Sequence, residues 1–187
     1  MEEGIRMSDD RADLSVGGAA CAAGGADLSV GETACAAGGA GFLAQIKECF
    51  PGKQADLRAY SPLTLAYIGD AVYDLIIRTV VVERANRPAN DLHRLTVRYV
   101  SAGAQSKIAE ALMDRFTEEE RAVYRRGRNS KPHTTAKNAS AKDYLQATGF
   151  EAVLGYLYLA DNMPRVLEIV KEGIALADMD DHIFFRG

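Results

Sequence analysis

The sequence predicts an all-α domain, and three observations carry the prediction. No segment shows the apolar–polar alternation of a half-buried strand, whereas apolar residues recur at helical spacing from residue 42 onward. Helix-start chemistry stands ahead of the longest such segments, at Ser61-Pro62, Thr117 with Glu120, and Ser140 with Asp143, where a side-chain oxygen can accept from a free amide of the first turn. Breakers separate the segments at Pro51-Gly52, at Asn86 to Pro88 and at Asn162 to Pro164.

Taken in order, residues 12–25 (ADLSVGGAACAAGG) recur as 26–39 (ADLSVGETACAAGG), a tandem repeat with a period of fourteen. Such small-residue composition cannot bury enough apolar surface to offset chain entropy, so residues 1–41 are expected to form a disordered tail, with a partner-binding tail as the alternative. The folded domain is then 42–187. Phe42 to Phe50 reads as a short helix. Ser61 to Arg84 (SPLTLAYIGDAVYDLIIRTVVVER) is apolar nearly all round between Leu63 and Val82, the pattern of a helix buried on most sides. Ala89 to Tyr99 carries an apolar stripe with His93, Arg94 and Arg98 on its wetter sides, and His93 reads as a surface residue. Ser101 to Met113 follows, and the Thr117 cap opens a helix through Tyr124. The helix opened by Ser140 runs on through DYLQATGFEAVLGYLYLA (143–160), PRVLEIVKEGIALA (164–177) forms the last one, and DMDDHIFFRG is a loose end.

Composition narrows the function classes. The chain has 187 residues, 48% of them hydrophobic, enough for one well-filled core. The net charge of -4 conceals an asymmetry, since residues 1–41 hold seven acids against two bases and leave +1 for residues 42–187. Cys21, Cys35 and Cys49 form no C-x-x-C pair, so neither a zinc site nor a disulfide framework is expected, and a reducing cytoplasm is the simpler setting. The acidic N-terminus does not resemble a signal peptide. Two aspartates within Leu63 to Ile77, followed by Arg78, count against a membrane span.

The chemistry is expected at three places. Asp70 and Asp74 share a face of the apolar helix, and a carboxylate there needs cations, hydrogen bonds or a wet cleft; a metal site and a pair of satisfied structural aspartates both fit. Glu151 lies in a second apolar run. Between the two helices, Arg121 to Lys142 holds seven bases and no acid. Its centre, RRGRNSKPHTTAKNAS, is loop-like in composition and places Arg125, Arg126, Arg128, Lys131 and Lys137 where a phosphate backbone would neutralise them, a partnerless solvated loop being the alternative. Two lone acids and a basic loop together suggest a metal-dependent site acting on phosphates.

LAYIGDAVYDLIIR (65–78) followed by TGFEAVLGYLYL (148–159), with RRGRNSKPHTTAKNASAKDY between them, resembles the ribonuclease III catalytic domain, and within that family the compact Mini-ribonuclease III branch. Asp70 matches the aspartate of the first family motif and Glu151 the glutamate of the second. The larger enzymes carry a glutamate and an aspartate where this chain has Ala66 and Thr148, and the Mini branch is similar in lacking both. The resemblance implies a ribonuclease III-like helical bundle with no separate RNA-binding domain, acting as a homodimer. It further implies magnesium, or manganese in its place, held by Asp70 and Glu151 as catalytic residues. The implied reaction is hydrolysis of double-stranded RNA to 5'-phosphate and 3'-hydroxyl ends, with precursor 23S ribosomal RNA as substrate. A catalytically silent dimeric RNA-binding module and an all-α hydrolase of small nucleotides are the competing expectations.

Overall fold

A computed structural model describes residues 41–53, 55–84, 86–130 and 140–179. The tail expected over 1–41 thus lies outside the described residues except for Gly41, as does the loose end beyond Met179. The described residues form seven α-helices and one short 3-10 turn at Leu57–Ala59, with no strand among them. The helices are α1 (Phe42–Cys49), α2 (Pro62–Arg84), α3 (Ala89–Val100), α4 (Ala102–Ala111), α5 (Glu118–Arg128), α6 (Ala141–Leu159) and α7 (Met163–Leu176).

The start signals act as their chemistry requires. The Ser61 hydroxyl accepts from the Thr64 amide at 3.0 Å, and the Ser140 hydroxyl accepts from the Asp143 amide at 3.0 Å. Thr117 and Glu120 form a reciprocal capping box at the start of α5. Glu120 also receives two bonds from Arg165, at 2.9 and 3.0 Å, so this buried box ties α5 to α7. Burial pushes the Glu120 carboxyl up, but the bonds from Arg165 and Thr117 outweigh it and hold the group below its ordinary range.

α6 is the axis of the bundle and packs against α2, α4, α5 and α7. Eleven of its nineteen residues are buried, which explains why it shows almost no polar face. α2 buries Leu65, Ala66, Gly69, Val72, Tyr73, Ile77 and Val81, a stripe at three- and four-residue spacing. Tyr73 meets Phe150 edge to face with ring centroids 5.4 Å apart, and its hydroxyl donates to the Tyr99 carbonyl at 3.1 Å.

Two features differ from the sequence reading. α5 does not stop at Tyr124 but continues to Arg128, so Arg125, Arg126 and Arg128 sit on a helix end rather than on a flexible loop. Gly127 is there because α5 and α6 touch: a Cβ on it would lie 2.9 Å from both Ala152 Cβ and Gly149 Cα. Cationic side chains also suit the C-terminal end of a helix dipole. Second, Cys49 is disulfide-bonded, where the sequence reading expected no disulfide framework. None of the described helices is long and apolar enough to cross a membrane.

Candidate active site

The site is built where α2 and α6 cross antiparallel with almost nothing between their backbones. A Cβ on Gly69 would fall 1.8 Å from the Glu151 carbonyl oxygen, and one on Gly155 would fall 2.0 Å from the Leu65 carbonyl oxygen. Glycine at both positions therefore sets the interhelical distance. Asp70 follows Gly69 directly, so the same contact that lets the helices close also brings Asp70 to the turn of α6 that bears Glu151.

The Asp70 charge reaches Glu151. Glu151 is pushed up to about 8, first by burial and then by the Asp70 charge, against a hydrogen bond from Gln105 that pulls the other way. Asp70 is more exposed, and burial followed by the Asp74 charge raises it as well. Neither has an ion pair among the described residues. Asp74 does: Arg78, one turn on, bonds it at 2.5 Å on the helix surface, so of the two roles open to Asp74 the structure favours the satisfied aspartate.

Like-charged carboxylates held together without a cation are a donor set of hard oxygens suited to a divalent ion such as magnesium. No group of three or more His, Cys, Asp and Glu side chains placed to hold a metal ion occurs among the described residues, so the pair fits an open site that water and substrate oxygens would complete. The two departures from the larger enzymes are accounted for locally. Ala66 is buried in the core, and the buried Thr148 spends its hydroxyl on the Tyr144 carbonyl at 2.9 Å.

The arginines flank this centre. Because Gly127 packs on Gly149 and Ala152, the last turn of α5 lies along the segment of α6 that carries Glu151. Arg125, Arg126 and Arg128 are exposed there. Arg126 has a second task, donating from Nη2 to the Tyr60 carbonyl at 3.0 Å and so tying α5 to the entry of α2. Lys131 and Lys137 lie outside the described residues. Sequence reasoning missed Gln105, a carboxamide on α4 that is 1% exposed and donates to the Val100 carbonyl at 3.3 Å; it belongs to no motif.

An all-α fold with a carboxylate pair between two helices and a basic helix end beside it defines a class, and comparison with known proteins agrees: residues 63–162 match the ribonuclease III domain. The chain is 48% identical over 118 residues to the Mini-ribonuclease 3 of Thermoanaerobacter sp. (strain X514), covering 63% of this chain and 83% of that protein. It is 49% identical over 117 residues to the Mini-ribonuclease 3 of Clostridium tetani, covering 62% and 78% respectively. A solved Fusobacterium nucleatum protein, 29% identical, superposes with a TM-score of 0.60 over 65% of this chain and 93% of that one. The chain belongs to the ribonuclease III family, in its Mini-ribonuclease 3 branch, and is an endoribonuclease of that type.

Proposed function

We propose that this enzyme is a magnesium-dependent endonuclease that cuts both strands of an RNA duplex, acting as a homodimer in the cytoplasm on precursor 23S ribosomal RNA. The observation that carries the metal dependence is the pairing of Glu151 with Asp70 in a half-buried site where neither carboxylate has an ion pair among the described residues, since burial and the Asp70 charge push Glu151 up to about 8 and a bound cation would relieve it. Asp70 and Glu151 are the residues that would hold magnesium, with manganese a substitute of similar ligand preference. Bound there, the ion supplies a lowered water pKa and neutralises charge on the scissile phosphate and the leaving 3' oxygen.

The protein's own residues do the rest. Glu151 and Asp70 fix the position of the reacting phosphate from opposite helices, and the Gly69 contact keeps their separation from drifting. Arg125, Arg126 and Arg128 meet backbone phosphates, as do Lys131 and Lys137 in the same basic stretch. Such contacts give affinity without base identity, which suits an A-form duplex recognised by shape. Pairing of two copies is supported by apolar side chains left exposed on α1 and α2: Phe42, Tyr67 and Leu75 are 64%, 82% and 56% exposed. Phe42 and Leu75 rim an apolar cleft of about 320 Å³ between those helices.

The test is cleavage of end-labelled duplex RNA with magnesium. Asp70→Asn and Glu151→Gln are each expected to lose at least about 100-fold in rate, as removal of a transition-state charge partner does. Wild type should give staggered cuts with 5'-phosphate ends, one per strand. Either amide variant cleaving at the wild-type rate overturns the assignment, and duplex binding without cleavage under magnesium or manganese would make the protein a silent RNA-binding module.

A further inference from the structure

Phe50 follows α1 with 78% of its surface exposed, and it stands at a pocket of about 270 Å³. Lys47, Phe50, Lys53, Leu57, Tyr60 and Leu159 line that pocket, and no acid lines it among the described residues. Lys47 and Lys53 are exposed and make no ion pair among the described residues. Tyr60, in contrast, is half-buried and packs on the core. Gly52 leaves room at the pocket, since a Cβ on it would meet nothing within 4 Å. A single exposed apolar side chain is ordinary on a protein surface. Two rings and two cations around one concavity are a different matter, because they combine a stacking face with partners for phosphate. Bases inside a duplex have their faces covered by their neighbours, so such a pocket suits an unpaired nucleotide.

We propose that this pocket is a subsite for an unpaired nucleotide of the RNA flanking the duplex, with Phe50 stacking on the base and Lys47 and Lys53 meeting phosphates. Its place in the fold joins it to the basic helix end. The Tyr60 carbonyl is the acceptor of the 3.0 Å bond from Arg126, so the pocket wall and the last turn of α5 are tied together. On α6, Leu159 lies about 12 Å along the axis from Glu151, within reach of a strand that leaves the duplex near the cut. The subsite makes a duplex with a single-stranded flank a better substrate than a blunt one. This rests on the reading of the protein as an endonuclease of duplex RNA.

The experiment uses the full chain with magnesium and compares steady-state cleavage of a blunt RNA duplex with that of the same duplex carrying a single-stranded adenosine tail. KM for the tailed duplex should be about 5–100-fold lower, the range that stacking of one base on an aromatic ring gives, with kcat the same for both. A fluorescent adenine analogue in the tail should be quenched on binding. Phe50→Ala, and Phe50→Leu, which keeps apolar bulk without a ring, should each erase the KM difference and the quench, whereas Phe50→Trp should keep both. The double variant Lys47→Gln/Lys53→Gln should lower the salt slope of tailed-duplex binding by about 1.4, at about 0.7 per single-strand contact, and an unaltered slope overturns the proposal. So does a wild-type KM equal for the two duplexes, or a Phe50→Ala protein that still prefers the tailed one. Wild type that cuts both duplexes with one KM sinks the subsite alone; wild type that cuts neither sinks the endonuclease reading and the subsite with it.

Discussion

Gly69→Ala tests the physical basis of the site, because it adds one methyl group at the point where α2 and α6 touch. That carbon would sit 1.8 Å from the Glu151 carbonyl oxygen, whereas a relaxed carbon–oxygen approach is about 3.3 Å. Neither partner is a side-chain end that could swing away, so the helices must part by about 1.5 Å. Overpacking of this kind costs typically about 1–3 kcal/mol, and here the backbone-on-backbone clash puts it at the upper end or beyond. Against it stands the gain of about 1 kcal/mol from replacing glycine by alanine in a helix. A net loss of about 2 kcal/mol or more should lower Tm by roughly 4–8 °C for a domain of this size. Cleavage should fall further than stability does, because a displacement of about 1 Å between catalytic groups costs about 100-fold. The assay is thermal unfolding by circular dichroism together with single-turnover cleavage at a temperature where the variant remains folded. Gly103→Ala on α4 is the control: its added carbon meets nothing within 4 Å, and it should stabilise by about 0.5–1 kcal/mol. Wild-type Tm and activity in Gly69→Ala would refute the claim that this contact sets the geometry.

Two further outcomes follow from the electrostatics. Glu151 has a folded pKa of about 8 against an ordinary 4.5, so between those values the native state keeps a proton that the unfolded state has released. Its contribution is therefore complete below the lower value and is lost as pH rises toward the upper one. Metal-free Glu151→Gln should be more stable than wild type above about pH 8, by about 2 kcal/mol after allowance for partial solvation, and no different near pH 4.5; parallel urea-unfolding profiles across that range would refute this. At the basic helix end, the double variant Arg125→Gln/Arg128→Gln should reduce the salt slope of duplex-RNA binding by about 2 while leaving Tm unchanged, and an unaltered slope would remove these arginines from the interface.

Much of this protein is written locally. Ser61, Thr117 and Ser140 announce three helix starts because capping depends on a side chain and the amides two or three residues away. The basic stretch before α6 is equally plain. Its geometry was not: the continuation of α5 through Gly127 to Arg128 depends on Gly149 and Ala152 lying opposite, and nothing near Gly127 in the chain announces them. Arg126 reads as one more cation until the Tyr60 carbonyl is found 3.0 Å from its guanidinium. Asp74 reads as a ligand equal to Asp70 because both lie on one helix face, and the Arg78 ion pair with Asp74 decides between them.

The linear sequence alone determined the all-α class, the order of the helices and the two acids set in apolar runs, since each of these follows from spacing within about twenty residues. Only the tertiary structure decided that Gly69 and Gly155 bring α2 against α6 and that burial and the Asp70 charge push Glu151 up to about 8. Burial and through-space charge are properties of neighbours, and the charge that Glu151 meets, Asp70, lies some eighty positions away along the chain.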